Sequence, residues 1–467
     1  MKLLMKFGGT SVADGECIMK VARIVADQAK KDRVVVVVSA LKDVTDQLTE
    51  SLERARDGDE KFVQDFIQRL TERHLTTARK AVGSEVRKEV ELAIKALVSE
   101  LERVLMGVMY LGEVTPRSRD YVLSFGERLS IPILWGALHS LGLKARHHTG
   151  REAGIVTDSN FGEARPLLDV TKQQVRKRLG PLLEEGVIPV VAGFIAADEE
   201  GVVTTLGRGG SDYTATVIGA ALDVDEVWIW TDVDGLMTTD PKILPSAKRI
   251  PEISFAEATE MAVFGVKSMH PRALEPAMEQ NIPVRIRNTF HPENPGTLIV
   301  KEQKIKPGTV VKAVTLVKDV ALVTVSGAGM VGTPGTAAKV FDILGRSHVN
   351  ILMISQSVSE ANISLVIRRA LLKKAVEALR GALLGRDLIG EVTAEKDVCI
   401  VAVVGAGMRG TLGVAARVFG AVARRGINIR MIAQGSSELN ISFVVKEADG
   451  PKAVRAVHEE FKLSELS

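Results

Sequence analysis

A duplication near the carboxyl end most constrains how this chain of 467 residues folds. Residues 326–367 align without a gap with residues 404–445, and about half of the paired residues are identical. Each copy predicts a strand, a glycine-rich turn, a helix, a strand, a tight turn, a strand and a second helix. A unit of this size buries little apolar surface alone. We therefore expect two small α+β modules that pack against each other or against another subunit.

The first 300 residues show a different pattern, in which short β-branched runs alternate with longer helical segments. Strands are predicted at 34–38, 187–197 and 227–230, because such apolar runs are typical of strands buried on both faces. Helices are predicted at 60–80, 84–106, 124–142, 170–185 and 211–222. This alternation is typical of an α/β layered domain with a parallel-rich sheet.

Prolines and glycines between His291 and Thr309 interrupt the alternation, and the domain boundary is predicted there. The predicted organisation is a catalytic domain over 1–300, a first small module over 310–390 and a second over 391–467.

Composition excludes several classes of protein. With 61 basic and 58 acidic residues, the formal charge of +3 gives no electrostatic case for binding nucleic acid or an anionic membrane. Cys17 and Cys399 are the two cysteines, and their separation suggests neither a disulfide framework nor a zinc site. The amino-terminal residues lack the pattern of a signal peptide, and no apolar run approaches the ~20 residues that span a bilayer. A cytoplasmic location is expected.

The repeats contain a motif that could mislead. Residues 327–332 and 405–410 both satisfy G-x-G-x-x-G after a predicted strand. A dinucleotide site also needs an acidic residue ~20 positions later. The next strands end in Ser355-Gln356 and Ala433-Gln434 instead. A dehydrogenase is therefore disfavoured, and the motif is interpreted as a turn whose backbone approaches a small ligand or a neighbouring chain.

The first polar cluster of the amino-terminal domain is Lys6-Phe7-Gly8-Gly9-Thr10-Ser11, at the end of a predicted strand. Consecutive glycines let backbone N–H groups approach phosphate oxygens, and a lysine can neutralise a transferred phosphoryl group. A plain strand-to-helix turn explains the same residues equally well. The chain has neither a Walker motif nor the H-R-D signature of protein kinases.

Three further clusters complete a candidate phosphoryl-transfer site. Glu127, within residues 124–130, is predicted at the start of an apolar helix, where it could simply be a favourable dipole partner. Residues 205–213 place Arg208 and Asp212 in a turn with three glycines at the mouth of a helix, a costly feature for structure alone. Residues 230–242 and 264–271 are predicted to close over a nucleotide, with Lys267 as a second phosphate ligand and Pro271 starting a helix.

Seven segments together resemble the aspartate kinase family: KFGGTSV at 6–12, SALKDVT at 39–45, SFGERLS at 124–130, TTLGRGGSDYTA at 204–215, TDVDGLMTTDP at 231–241, FGVKSMHP at 264–271 and PVRIRNTF at 283–290. They occur in the order of that family and are followed by a tail that resembles its tandem ACT domains. The resemblance covers essentially the whole chain. It implies an amino-acid-kinase-like layered domain followed by two ACT-like modules.

The resemblance also implies roles for individual residues. Lys6, Asp212 and Arg208 are the implied catalytic residues, and Asp212 would organise the phosphate-binding lysine and the metal. The implied aspartate site consists of Thr45, Glu127, Arg208, Gly209, Gly210 and Ser211, with Glu127 on the ammonium and Arg208 on the α-carboxylate. The implied nucleotide site consists of Lys6, Phe7, Gly8, Gly9, Ser11, Thr231, Asp232, Met237, Lys242, Lys267 and Ser268.

The implied reaction transfers the γ-phosphoryl group of ATP to L-aspartate, giving 4-phospho-L-aspartate for lysine, threonine and methionine biosynthesis. Mg²⁺ would be held mainly by the ATP phosphates, with no dedicated protein metal site. Met237 stands where the family often has tyrosine and Lys242 where many members have arginine, which leaves the nucleotide contacts open. Alternatives are a related amino-acid kinase with another substrate, or a sensor whose kinase domain has decayed. A fused homoserine dehydrogenase is not expected in a chain of this length.

Resemblance to ACT domains implies an end-product amino acid as effector and pairing of chains into a homodimer or homotetramer. The predicted pocket in the first repeat contains Met330, Gly335, Asn350, Ile351, Gln356 and Asn362. A lysine effector would want a carboxylate for its desolvated ammonium, and the pocket strand offers none. Threonine is therefore favoured over lysine. The second repeat is equally well explained as an assembly element alone.

Overall fold

A computed structural model describes residues 1–263, 270–303, 309–383 and 390–466. The chain divides into two compact units, each built from more than one segment. The first unit contains Met1–Leu236, Pro251–Phe255 and Lys267–Gln303, and the second contains Met237–Ile250, Ala256–Val266 and Lys304–Ser467. The second unit therefore combines the repeated tail with two short segments from the amino-terminal part of the sequence.

Strands and short turns alternate with helices through the whole chain. The strands are β1 (Lys2–Phe7), β2 (Arg33–Val38), β3 (Ala145–His148), β4 (Val156–Thr157), β5 (Ile188–Ala192), β6 (Ile195–Asp198), β7 (Val203–Thr205), β8 (Glu226–Thr231), β9 (Glu252–Ser254), β10 (Val284–Asn288), β11 (Thr297–Val300), β12 (Ala313–Ser326), β13 (Ile351–Gln356), β14 (Asn362–Arg368), β15 (Glu391–Val404), β16 (Met431–Gln434) and β17 (Asn440–Lys446). The helices are α1 (Gly15–Ala29), α2 (Val44–Arg56), α3 (Glu60–Ala81), α4 (Ser84–Leu111), α5 (Pro116–Ser140), α6 (Gly150–Ala153), α7 (Leu168–Glu184), α8 (Gly210–Leu222), α9 (Phe255–Val263), α10 (Glu275–Glu279), α11 (Thr336–Arg346), α12 (Leu372–Leu383), α13 (Val414–Arg424) and α14 (Gly450–Glu460).

The first unit is built on an eight-stranded sheet in the order β3-β5-β2-β1-β8-β10-β11-β9. Every neighbouring pair is parallel except β10 with β11. The valine run of β2 is buried from Val34 to Val38, as expected for a strand covered by helices on both faces. The predicted α/β fold class with a parallel-rich sheet is confirmed. Because β1, β2 and β8 are parallel neighbours, the loops after them leave the same edge of the sheet.

Several element predictions in this unit were wrong in their boundaries, and two of these bear on the site. The single strand predicted at 187–197 is two strands, β5 and β6, because Phe194 adopts a left-handed backbone conformation with φ 64° between them. The helix predicted at 124–142 begins at Pro116, because Thr115 and Ser118 form a reciprocal capping box with proline at the first helical position. Glu127 therefore lies inside helix α5 and not at its start, so the dipole explanation does not apply.

The repeated tail forms a six-stranded sheet in the order β13-β14-β12-β15-β17-β16, with antiparallel neighbours throughout. The two central strands β12 and β15 each contain 14 residues and contribute to both modules. Val314 of β12 is buried with Phe443, whereas Val323 of the same strand is buried with Val392 of β15. Each repeat thus completes its core with part of the other repeat's first strand.

Each repeat has the predicted order of elements, including its second helix, α12 or α14. Within the described residues, no helix is both long enough and apolar enough to cross a membrane.

Candidate active site

Backbone hydrogen bonds hold the ends of the central strands of the first sheet together. The N–H of Gly8 donates to the carbonyl of Trp230 at 3.1 Å, and the N–H of Ser39 donates to the carbonyl of Phe7 at 3.1 Å. The rings of Phe7 and Trp230 are stacked with centroids 5.8 Å apart. The turns after β1, β2 and β8 are therefore fixed relative to one another, which gives the polar side chains on them a rigid base.

Lys6 and Asp212 form a buried ion pair at this edge. The Lys6 Nζ lies 2.5 Å from the Asp212 Oδ1, and each residue is 8% exposed. Asp212 is in the first turn of α8, every residue of which is buried. The contact is one of charge, because the Asp212 Oδ1 accepts no hydrogen bond from the described residues. It keeps the lysine ammonium at the edge of the sheet, where it can stabilise negative charge.

Glu127 is buried beside this pair without full compensation for its charge. It is 3% exposed, and its Oε2 atom has no hydrogen-bond partner among the residues that the structure describes. Burial raises the pKa of Glu127 to about 8, while the N–H of Ala40 and the ammonium of Lys6 act in the opposite direction. A buried carboxyl group with a free oxygen is suited to receive a positively charged group from a ligand.

Close packing around Glu127 brings helices α2 and α5 together. A Cβ atom on Gly126 would lie 2.9 Å from the Cβ of Ala40 and 3.7 Å from the Oγ1 of Thr45. A larger residue at this position would push the helices apart. Glycine at 126 therefore sets the distance between Glu127 and the first turn of α2, which carries Thr45. The sequence assigned Glu127 and Thr45 to the same substrate site.

The glycine-rich turn before α8 requires its glycines. Gly207 and Gly209 have φ angles of 73° and 72°, and a Cβ on Gly209 would lie 2.5 Å from the Cβ of His270. The side chain of Ser211 packs against Gly193, where a Cβ would lie 2.8 Å from the Ser211 Oγ.

Gly210 is buried at the start of the helix, and a Cβ there would lie 2.7 Å from the ring of Phe194. The backbone of this turn therefore lies directly against His270 and Phe194, with no space for side chains at Gly209 and Gly210.

Arg208 is the exposed residue of this turn. Among the described residues its guanidinium makes no ion pair, so its five donors are available to a ligand. Burial lowers the pKa of His270, and the charges of Arg272 and Arg208 lower it further. The neutral imidazole of His270 then avoids competition with Arg208 for an anion near pH 7.

Asp120 is an important residue that sequence reasoning missed. It is fully buried and accepts three hydrogen bonds: from the Thr205 N–H at 2.8 Å, the Thr205 hydroxyl at 2.8 Å and the Gly162 N–H at 2.9 Å. Asp120 lies two helical turns before Glu127 on α5. It therefore ties the helix that carries Glu127 to the strand that leads into the Arg208 turn. An acidic residue inside an apolar helix was the available signal.

The predicted nucleotide residues of the first unit lie at the ends of β1 and β8. Gly9 faces the loop after β2, where a Cβ would lie 3.2 Å from the Ala40 carbonyl. The Ser11 hydroxyl is buried and shares a 2.7 Å hydrogen bond with that of Thr289, which indicates a structural contact. Thr231 ends β8, and its hydroxyl donates to the carboxylate of Asp232 at 3.1 Å.

The remaining predicted nucleotide residues lie either in the second compact unit or outside the residues that the structure describes. Met237 and Lys242 belong to the second compact unit, where Met237 pairs with Arg249 and the Lys242 N–H donates to Asp240 at 2.8 Å. Lys267 and Ser268 lie outside the described residues. Their assignments stay predictions.

The predicted effector residues surround the glycine turn of the first repeat. Gly335 has φ 85° with no atom near its missing side chain, and Asn350 and Gln356 are exposed. Ile351 and Asn362 are partly exposed on the adjacent strands β13 and β14. Met330 differs, because its side chain is 1% exposed in the module's apolar core, and its backbone N–H and carbonyl are hydrogen-bonded to Gly327 and Thr333 within the turn.

Comparison with known proteins places these features in a class. Residues 1–288 match the amino acid kinase family, and residues 323–383 and 401–461 each match an ACT domain. The parallel sheet with its buried lysine–aspartate pair is therefore that of an amino acid kinase. The two modules that share the strands β12 and β15 are its tandem ACT domains.

Individual relatives narrow the class further. Aspartokinase 1, chloroplastic, of Arabidopsis thaliana is 34% identical over 99% of this chain and 81% of its own length. E. coli aspartokinase III in complex with aspartate and ADP has a TM-score of 0.82 at 30% identity, covering 98% of this chain and 99% of its own. The same enzyme in complex with lysine and aspartate has a TM-score of 0.80 at 31% identity, with the same coverage of both chains. The chain belongs to the aspartokinase family.

Proposed function

We propose that this chain transfers the γ-phosphoryl group of ATP to the side-chain carboxylate of L-aspartate, giving ADP and 4-phospho-L-aspartate. The observation that carries the proposal is the buried, partly unpaired carboxyl group of Glu127 beside the Lys6–Asp212 pair. An amino-acid substrate brings the ammonium that this carboxyl group lacks. The related E. coli enzyme, which was solved with aspartate and ADP, supports the same assignment.

Two of these residues bind the substrate, and two others stabilise charge on the phosphoryl group. Glu127 accepts hydrogen bonds from the substrate ammonium, and the exposed guanidinium of Arg208 binds its α-carboxylate through two parallel N–H donors. Lys6, positioned by Asp212, neutralises charge on the oxygens of the phosphoryl group as it moves. No general base is required, because a carboxylate with an ordinary pKa of ~3.9 is already ionised at neutral pH.

The bond that forms joins a side-chain oxygen of aspartate to the γ-phosphorus, and the bond that breaks joins this phosphorus to the β–γ bridging oxygen of ATP. Mg²⁺ would supply further neutralisation of the phosphate charge. Within the described residues, no group of three His, Cys, Asp or Glu side chains is placed to hold a metal. The carboxylate of Asp212 and the ATP phosphates are the oxygens that fit the ion, so we propose that it is carried mainly by the nucleotide.

We predict that purified protein forms aspartyl hydroxamate from L-aspartate, ATP, Mg²⁺ and hydroxylamine, and that L-glutamate is a poor substitute. Glu127 and Arg208 must grip both ends of one short amino acid, and an added methylene displaces the reacting carboxylate. The colorimetric hydroxamate assay measures this directly, with ADP release as a second readout. Equal rates with glutamate would indicate a different amino-acid kinase, and no reaction with either would indicate a sensor without catalysis.

We also propose that the product enters lysine, threonine and methionine biosynthesis and that the first repeat binds an end-product amino acid, with threonine favoured. Two acids near the pocket are already engaged: Glu360 accepts from the Gly332 N–H at 2.9 Å, and Asp342 pairs with Arg346 at 3.0 Å. Each of these carboxylates already has a partner in the structure, which makes it a weaker candidate to receive a lysine side-chain ammonium. Asn350, Gln356 and Asn362 offer amides that suit a hydroxyl group.

Lysine is the second candidate effector, because the related E. coli enzyme was also solved with lysine. We expect threonine at millimolar concentration to release heat in isothermal titration and to inhibit the enzyme, and Gln356→Ala to weaken both effects. Gln434→Ala, at the matching position of the second repeat, is the control and should leave the response unchanged. Inhibition by lysine without a threonine response would reverse the choice.

The modules are also proposed to join chains into a homodimer or homotetramer. Ile354 and Val358 support this proposal, because both are apolar residues exposed on or just after the edge strand β13.

A further inference from the structure

The two glycine turns of the tail present the same backbone groups. In the first repeat the Gly332 N–H donates to Glu360, and in the second the Gly410 N–H donates to Glu438 at 2.7 Å. These residues correspond in the alignment of residues 326–367 with 404–445. The turns can therefore be compared position by position, and any difference in what touches them is meaningful.

In the second repeat, two donors at the turn are occupied by carboxylates of helix α9. The N–H of Ala406 donates to the Glu257 Oε1 at 2.5 Å, and the Asn440 side-chain amide donates to the Glu260 Oε2 at 3.0 Å. Glu257 is completely buried, and the Lys312 Nζ lies 3.7 Å from its second oxygen. Glu257 thus accepts from a backbone N–H with a cation nearby, as the carboxylate of a bound ligand would, and Glu260 accepts separately from the side-chain amide of Asn440.

In the first repeat, the corresponding donors carry no such partner. Ala328 corresponds to Ala406, and Asn362 corresponds to Asn440. Within the described ranges of the chain, no carboxylate contacts the Ala328 N–H or the Asn362 side-chain amide. Asn362 is also one of the residues predicted to bind the effector. The same pair of donors is thus open in one repeat and filled in the other.

A second observation shows that the chain itself covers the second turn. A Cβ on Gly405 would lie 2.5 Å from the Val310 carbonyl, and one on Gly407 would overlap the Thr309 carbonyl. The backbone at 309–311 therefore rests directly on this turn.

The residue before the central strand is bonded to the turn in both repeats, because the Lys312 N–H donates to the Val404 carbonyl at 2.8 Å and the Gly390 N–H donates to the Ser326 carbonyl at 2.9 Å. The donors occupied by Glu257 and Glu260, and not this cover, therefore distinguish the second repeat.

We infer that helix α9 is a built-in ligand of the second module, with the Glu257 carboxylate in the place of an effector's carboxylate. This module binds no free amino acid, and Glu257 acts as a positioning residue for α9. A role for this contact in catalysis rests on the proposed function. In the sequence, α9 ends four residues before Lys267, the predicted phosphate ligand.

Proline substitution tests the inference with a matched control. Ala406→Pro removes the N–H that Glu257 accepts from, at the first position of a 3₁₀ turn where proline is tolerated. Ala328→Pro makes the same change in the first repeat. We expect hydrogen–deuterium exchange of residues 256–263 to accelerate about tenfold in Ala406→Pro and to stay unchanged in Ala328→Pro. Equal exchange in both variants would overturn the inference.

Glu257→Gln provides a second variant that keeps an acceptor oxygen and removes the charge. We expect it to accelerate the exchange of residues 256–263 by about threefold, because a neutral acceptor is weaker. Equilibrium dialysis of the wild type with threonine and with lysine should give at most one bound amino acid per chain, and two per chain would contradict the inference. These readouts need no turnover, so a chain without aspartate kinase activity would refute the proposed function and leave this test valid.

Discussion

Lys6→Ala is expected to lower kcat by roughly 10²-fold or more, with a smaller effect on the KM for aspartate. The lysine ammonium is aligned by Asp212 at 2.5 Å in a buried site, where a donor that stabilises transition-state charge contributes most. Steady-state kinetics with ADP release as the readout would measure the change.

The control for this change is Lys42→Ala, which removes an exposed lysine from the loop facing Gly9. It should leave kcat within about twofold, because an exposed charge is screened by solvent. Thermal unfolding of both variants checks that Asp212, left unpaired by Lys6→Ala, has not unfolded the protein. A folded Lys6→Ala variant with kcat within tenfold of the wild type would remove Lys6 from the catalytic role.

Glu127→Gln is expected to lower kcat/KM for aspartate by about 10²-fold, because the substrate ammonium favours the ionised form of Glu127 and pairs with it, whereas glutamine stays neutral. The same substitution tests the elevated pKa of Glu127. Its folded pKa of about 8 exceeds its ordinary value of 4.5, so the folded protein retains a proton that the unfolded chain releases. The free energy of unfolding of the wild type, relative to Glu127→Gln, should therefore fall as pH rises from about 4.5 to 8.

Urea unfolding of the two proteins between pH 4.5 and 8.5, without aspartate, measures this difference. The expected fall is several kcal/mol, at about 1.4 kcal/mol per unit of pKa shift. Glu50→Gln changes an exposed glutamate on α2 and serves as the control, with no pH-dependent difference expected. Parallel pH profiles for the wild type and Glu127→Gln would mean that Glu127 ionises normally. The effect of Glu127→Gln on kcat/KM for aspartate would then decide whether Glu127 receives the substrate ammonium.

The sequence alone determined the local elements and their class. The valine run of β2 and the apolar runs of β5 and β8 are recognisable because a strand buried on both faces has no polar positions. The helices α3, α4, α7 and α8 follow from their periodicity, although α4 continues to Leu111 beyond its predicted end. The repeat was visible because its two copies fold in the same order, and the glycine turn before α8 because positive φ angles select glycine.

Only the tertiary structure decided what surrounds the polar residues. The burial of Glu127 depends on Ala40 and on the packing of α2 against Gly126, contacts that no local pattern contains. Asp120 accepts its hydrogen bonds from Thr205, 85 residues away, and Glu257 accepts one from Ala406, 149 residues away. The contribution of β12 and β15 to the cores of both modules likewise cannot be seen when each copy of the repeat is considered alone. Periodicity records which face of an element is buried, whereas pKa, pairing and positioning depend on partners that folding brings from distant parts of the chain.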